Sequence, residues 1–250
     1  MTDIFKPITI LKGVASKRAG LYEKLGIFTP FDLLYHIPRS YIDYSRPVPV
    51  SEAVTGENNV IKGTVIKKFP EQRIRQGLTL YKTVVTDGTN PFTVVFYNNV
   101  YTFDALCEGE EYIFYGKVTG NLLSREMNSP KYIPAGSDVT LCSVYRLTAG
   151  LTNTMLRTNI SESLRILRAE PLEFLPEDII GENDLCSLMY AIKNIHFPEN
   201  HDAMLSARKR LAFDELLNLQ LGMRMLRQRN SASEAGFVMS PDVSVDEFRQ

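Results

Sequence analysis

Apolar residues in this chain change their period twice, and the two changes divide it into helical, strand and helical blocks. Before about residue 50 and after about residue 150 they recur at three- and four-residue steps, the repeat of one face of an α-helix. Between 60 and 132 they sit in short runs rich in Val, Ile, Thr, Tyr and Phe, which read as strands. Turn residues break this middle block into segments 60–69, 78–86, 92–97 and 111–118, with a fifth strand expected within 122–132. Asp87-Gly88 separates the second and third segments and is a strong tight-hairpin signal. Residues 100–107, between the third and fourth, read as a short helix. Three strands, a helix and two more strands is the order of an OB fold, a small Greek-key barrel. An SH3-like barrel is the nearest competitor, but it does not usually place a helix there. The expected class is therefore α+β, with an OB-type barrel flanked by helices.

In the first block, Leu21 and Leu25 share one face of a helix over 17–25, and Gly26 stands where a left-handed cap would end it. Thr29 reads as an N-cap, Pro30 takes the first helical position and Asp32 the first turn of a second helix that stops before Pro38. After the barrel, Leu156, Ile160, Leu164 and Leu167 mark a helix over 152–167, ended by Pro171. A shorter helix over 185–194 stops before Pro198. A long helix over 202–229 carries Leu205, Ala212, Leu216, Leu219, Met223 and Leu226 as one stripe, expected to be a packing face. Arg224, Arg227 and Arg229 at its end complement the helix dipole. The expected division is a helical hairpin region over 1–50, the barrel over 51–150, a helical linker region over 151–230 and a polar linker over 231–250.

Catalytic chemistry is not legible in these residues. The Gly116-Lys117 pair lies in an expected strand and lacks the upstream Gly and the following Ser or Thr of a phosphate-binding loop. His36, His196 and His201 have no nucleophile at motif spacing, and no paired carboxylates stand out. Cys107, Cys142 and Cys186 are far apart and are expected as buried, reduced thiols with no metal. No run approaches the ~18 apolar residues of a membrane span, and the first ten residues lack the pattern of a signal peptide. These features point to a cytoplasmic binding module without catalytic residues, cofactor or metal.

Charge and aromatic placement give that module a candidate surface. The formal net charge is −1, yet residues 60–90 hold Lys62, Lys67, Lys68, Arg73, Arg75 and Lys82 against Glu71 and Asp87, a local excess of six minus two, or +4. Basic strands and loops track phosphates, and aromatic faces stack on bases at roughly 1–3 kcal/mol per base. The run Phe96-Tyr97-Asn98-Asn99-Val100-Tyr101-Thr102-Phe103 sits at the junction of the third strand and the helix, where Phe96 and Tyr97 point to opposite faces. The same features also suit edge protection and barrel filling. On these residues alone, nucleic-acid binding and protein binding both stay open.

Longer strings narrow the choice. Leu11-Lys12-Gly13-Val14-Ala15-Ser16-Lys17-Arg18-Ala19, then Leu25-Gly26-Ile27 and Asp32-Leu33-Leu34-Tyr35-His36-Ile37-Pro38-Arg39, resemble the opening of the RecG family of ATP-dependent branched-DNA helicases. Thr86-Asp87-Gly88 and Phe96-Tyr97-Asn98 resemble the family's barrel, and Val144-Tyr145-Arg146-Leu147-Thr148-Ala149-Gly150-Leu151 its post-barrel segment. Ile195-His196-Phe197-Pro198 and Ala207-Arg208-Lys209-Arg210-Leu211-Ala212-Phe213-Asp214-Glu215-Leu216-Leu217 resemble the connection into its long linker helix.

The resemblance implies that the barrel is a wedge that splits duplex DNA at a junction. Tyr97 and Tyr101 fall at the family's stacking positions, Tyr97 where Phe is common. With Lys62, Lys67, Lys68, Arg73 and Arg75 on phosphates, the implied partner is branched DNA: replication forks, Holliday junctions and D-loops. It further implies motor domains of the same polypeptide, expected after residue 250, which use ATP and Mg2+ to drive fork reversal and branch migration. Single-stranded DNA-binding protein is a further implied partner, and a bacterial, nucleoid-associated monomer the implied setting. Gly13-Val14-Ala15 lacks the second glycine of DNA-binding helical hairpins, which favours a structural hairpin packed on the long helix.

Overall fold

The computed structural model describes residues 3–121, 124–169 and 173–232. Two short turns of 3-10 helix (Asp3–Phe5 and Ile8–Ile10) lead into α1 (Ser16–Glu23), α2 (Pro30–Leu34) and β1 (Ser40–Asp43). β2 (Asn58–Lys68), β3 (Gln72–Arg75), β4 (Leu78–Thr86) and β5 (Pro91–Tyr97) precede α3 (Val100–Asp104). β6 (Glu111–Asn121), β7 (Ser124–Asn128), β8 (Lys131–Pro134) and β9 (Leu141–Val144) follow. Then come α4 (Asn153–Ala169), α5 (Glu177–Glu182), α6 (Leu188–His196) and α7 (His201–Ala232).

Five strands close into a barrel in the order β2, β4, β5, β7, β6 and back to β2, antiparallel throughout except between β5 and β7. Closure leaves the ring without an open edge, and α3 lies between its third and fourth strands as in an OB fold. β3 and β8 extend the sheet outside the ring, on β4 and β6. The fifth strand expected within 122–132 is thus two strands, β7 and β8; residues 122–123 lie outside the described residues. Ile61, Val65, Val85, Val94, Phe96, Phe114 and Met127 fill the interior. Gly63 lies where two strands press together: a Cβ there would stand 2.6 Å from Val85 Cγ1 and 2.8 Å from the Thr86 carbonyl oxygen. The loop between β4 and β5 spans residues 87–90 rather than two residues. Gly88 takes φ 94°, and the Asp87 carboxylate accepts from the backbone N–H groups of Thr89, Asn90 and Val50. Desolvation pushes that carboxyl up, but these hydrogen bonds outweigh it and hold it at about 2.

The helices on either side of the barrel in sequence share one core. Tyr22, Leu33 and Leu34 of the hairpin meet Leu156, Ile160 and Leu164 of α4 and Ala191, Ile192 and Ile195 of α6. The hairpin forms as its sequence requires. Gly26 takes φ 76° after α1, and Thr29 and Asp32 make a reciprocal capping box, Thr29 Oγ1 accepting from the Asp32 N–H and Asp32 Oδ2 from the Thr29 N–H. Its principal partner is α4, while α7 reaches this core only through Ala207 and Leu211. β1 and β9, the strands on either side of the barrel in sequence, pair with each other and were not anticipated. Ile42, Tyr44 and Val144 pack this stem onto the barrel's outer surface at Val60, Ile113 and Tyr115. The stem thereby returns the chain to where it left the helices.

Two other expectations need correction. The stripe assigned to the packing face of α7 is largely in solvent: Leu205 is 46% exposed, Leu216 61%, Leu219 59% and Leu226 60%. The helix instead buries Ala203, Met204, Ala207, Arg210, Leu211 and Asp214. Its buried face carries an ion pair, Arg210 Nε to Asp214 Oδ1 at 2.9 Å, with Arg210 also donating to Glu173 and to the Cys186 carbonyl. An apolar pattern cannot register a charged contact face. The three cysteines are free, but Cys107 is exposed and the other two only half-buried. Residues 233–250, the bulk of the expected polar linker, and Pro171, the expected helix end, lie outside the described residues.

Candidate nucleic-acid interface

The run from Phe96 to Phe103 builds one end of the barrel, and each residue there has a separate task. β5 alternates in and out, so Phe96 is 1% exposed in the core and Tyr97 is 43% exposed on the outside. Asn98 then takes φ 51°, a left-handed conformation that Asn tolerates better than bulky residues do. Its side chain accepts from the Thr79 N–H at 2.7 Å and donates to the Gly77 carbonyl at 2.8 Å, and its own N–H donates to the Thr79 carbonyl. This ties the β3–β4 hairpin to the end of β5. Asn99 caps α3, accepting from the Thr102 N–H at 3.1 Å. Tyr101, in the first turn of α3, is 86% exposed, while Phe103 turns back into the core.

Tyr97 is held in place as well as presented. Its hydroxyl donates to Asn128 Oδ1 of β7 at 2.9 Å, and Asn128 Nδ2 reaches Thr119 Oγ1 at 3.3 Å. Both faces of the contact are therefore fixed by strands of the closed ring. Asn98 and Asn128 escaped the sequence reading as positioning residues. Only Asn98 carried a usable signal there, an Asn-Asn pair directly after a strand, which marks a turn.

The five basic residues expected on phosphates do not form one patch. Strand register puts Gln72, Leu80 and Tyr97 in one row. A bulge at Ile74 lets Arg75 pair with Leu78, on the same face as Tyr97, while Arg73 pairs with Thr79 on the other face. Arg75 is exposed with no ion-pair partner among the described residues, and Arg73 is 3.9 Å from Glu71. Lys67 is exposed, its ammonium 5.4 Å from the centre of the Phe69 ring. Lys68 turns inward. Its ammonium donates to the Leu106 carbonyl at 2.9 Å and lies over the Phe103 ring at 4.3 Å, capping the end of α3. Lys62 pairs with Glu111 at 2.9 Å beside the β4–β5 loop. That loop is the far end of strands whose register runs from Thr86↔Pro91 to Leu80↔Tyr97, about 20 Å away at a strand's rise per residue.

Strand register thus puts Arg75 on the face of Tyr97 and Arg73 on the opposite hairpin face, while Tyr101 follows in α3 four residues after Tyr97. The structure leaves Lys62 apart and gives Lys68 a structural role. No group of three or more His, Cys, Asp or Glu placed to hold a metal occurs among the described residues, and none of their helices is long and apolar enough to cross a membrane. A pair of exposed aromatic faces on a rigid turn, flanked by guanidinium groups, is suited to stack on unpaired bases while holding adjacent phosphates.

Known proteins resemble this chain over most of its length. Residues 7–167 match the RecG wedge domain family. The ATP-dependent DNA helicase RecG of Thermotoga maritima is 28% identical over 236 residues, covering 90% of this chain and 30% of the relative. RecG of Streptococcus pneumoniae is 28% identical over 242 residues, covering 95% of this chain and 35% of its own length. A solved structure of RecG bound to a three-way DNA junction superposes with a TM-score of 0.78 at 27% identity, over 93% of this chain and 32% of that one. The chain spans about a third of the length of these relatives.

Proposed function

The chain belongs to the RecG wedge domain family, and from that premise we propose that its barrel binds branched DNA and splits the duplex at the branch point. The observation that carries this reading is the pair of exposed tyrosines on a turn locked by Asn98 and Asn99. As two strands part at a junction, each loses a stacking neighbour. Tyr97 offers a replacement face with ring and backbone already held, and Tyr101 offers one on a backbone fixed by the capped α3. Arg75, Arg73 and Lys67 supply the nearby positive charge for the separating backbones. Lys62 and Lys68 contribute to the general field, since each ammonium already has a partner within the barrel.

In the same proposal the chain is the wedge portion of an ATP-dependent helicase acting on replication forks, Holliday junctions and D-loops. ATP and Mg2+ serve motor domains of that larger protein in fork reversal and branch migration. The test is equilibrium binding of a synthetic fork and of a blunt duplex with the same sequence. The fork is expected to bind more tightly. Tyr97→Ala and Tyr101→Ala are each expected to weaken it by about 1–3 kcal/mol, roughly five- to 150-fold, the range for one lost stacking contact. Equal affinity for fork and duplex, or a double variant that binds the fork as before, would rule the stacking assignment out.

A further inference from the structure

A second concavity lies where the barrel meets α4, and no role assigned above uses it. A cavity of about 480 Å³ is lined there by Asn99 and Thr102 beside Tyr101, by Lys131 of β8 and by Thr154 and Arg157 of α4. An adjoining depression of about 460 Å³ shares Thr154 and Arg157 and continues along the helix to Ser161. The two form one trough that starts at the turn carrying Tyr101. From Thr154 to Ser161 it follows α4 for about 10 Å, at the rise of a helix.

The lining is mixed: Tyr132, Ile133 and Phe197 form apolar wall, and among them stand hydroxyl and amide groups and two cations, Lys131 and Arg157. The acid at the far end, Glu162, is already bonded to Arg165 at 2.7 Å. Arg157 is fixed rather than mobile. Its Nη1 donates to Ser143 Oγ at 2.9 Å and its guanidinium lies over the Phe197 ring at 4.9 Å. The remaining guanidinium nitrogens have no partner among the described residues. A planar, held guanidinium with free donors recognises phosphate, and hydroxyl and amide side chains commonly bond the sugar–phosphate chain.

We infer that this trough carries the backbone of one single-stranded DNA arm away from Tyr101, with Lys131 and Arg157 each holding a phosphate. Asn99, Thr154 and Ser161 donate to backbone oxygens along the way. The inference rests on the branched-DNA reading and extends it, because the stacked base and the path of its strand become one continuous site.

Salt titration separates the two claims. The complete chain is titrated against a fork bearing single-stranded arms, with and without Lys131→Gln and Arg157→Gln together. Losing two phosphate contacts is expected to lower the slope of log affinity against log salt by about 1.4, the product of two contacts and 0.7 per contact on single strands. Between about 50 and about 200 mM salt, affinity in the double variant would then fall about sevenfold less than in the unsubstituted chain. Because Arg157 also packs against Phe197, the exposed pair Thr154→Glu and Ser161→Glu serves as a second variant that removes no packing. It is expected to weaken fork binding and leave blunt-duplex binding unchanged. An unchanged slope and undiminished binding by the glutamate pair, while Tyr97→Ala and Tyr101→Ala still weaken the fork, overturns the trough alone. Failure of the unsubstituted chain to bind the fork overturns both the trough and the reading beneath it.

Discussion

Stability is expected to fall between pH 7 and pH 5 because of one residue, His196, which is fully buried where the hairpin, the stem and α6 meet. Its Nε2 donates to the Leu34 carbonyl at 2.8 Å, so its Nδ1 accepts from the Tyr145 hydroxyl at 2.9 Å. That assignment requires the neutral ring. Burial pushes the imidazole down to about 4, with His36 and Arg157 adding to the shift. The folded-state value lies below the unfolded one, so the unfolded chain takes up the proton first and folding weakens as pH falls. The contribution is fully present above about pH 6.5 and is gone below about pH 4. Over that whole window the difference of roughly 2.5 units corresponds to about 3 kcal/mol. About 2 kcal/mol of it is lost between pH 7 and pH 5, where carboxylates scarcely titrate. Urea denaturation of the chain and of His196→Gln at both pH values measures this. The substituted chain is expected to start lower, since it alters a buried hydrogen-bonded site, but to lose about 2 kcal/mol less on acidification. A chain equally stable at pH 7 and pH 5, or a variant with the same drop, would refute the argument. The Ser143 hydroxyl ties this site to the trough, bonding both the His196 carbonyl and Arg157.

Two further perturbations test the framework that holds the interface. Asn98→Ala removes two side-chain hydrogen bonds and places a β-carbon residue at φ 51° without compensation; a loss of about 2 kcal/mol in thermal or urea unfolding is expected, and Asn98→Gly should recover part of it by relieving the backbone alone. Asp214→Ala strips the buried Arg210 of one partner; a cost of about 3–5 kcal/mol is expected, and a substitution without effect would show that Glu173 alone satisfies the guanidinium. Glu173 itself is held at about 2, since Arg210 and the backbone N–H groups of Leu188 and Leu175 outweigh the opposing effect of burial. Its contribution is present above about pH 4.5 and lost as the pH falls toward 2, so Glu173→Gln should flatten the acid limb of the stability curve.

What the sequence alone determined was local. The alternation in β5, the left-handed Gly26 and Thr29 as N-cap ahead of Pro30 and Asp32 are each encoded within a few neighbouring residues, and all appear as expected. The OB order and the opposite faces of Phe96 and Tyr97 follow from the same short-range rules. Tertiary structure decided whatever depended on distant partners. The β1–β9 stem joins strands of four residues that are separated by the whole barrel, and neither shows a periodic signal by itself. The face α7 buries was settled by Arg210 meeting Glu173 and Asp214, against the apolar stripe. Basic residues that look alike in sequence were sorted by packing: Lys68 caps α3, Lys62 meets Glu111, and Arg75 stays open beside Tyr97. The trough draws Lys131 from β8 and Arg157 from α4, elements apart in sequence that line one concavity only in the folded chain. Residue spacing sets backbone conformation, but the field around a side chain depends on everything folded against it.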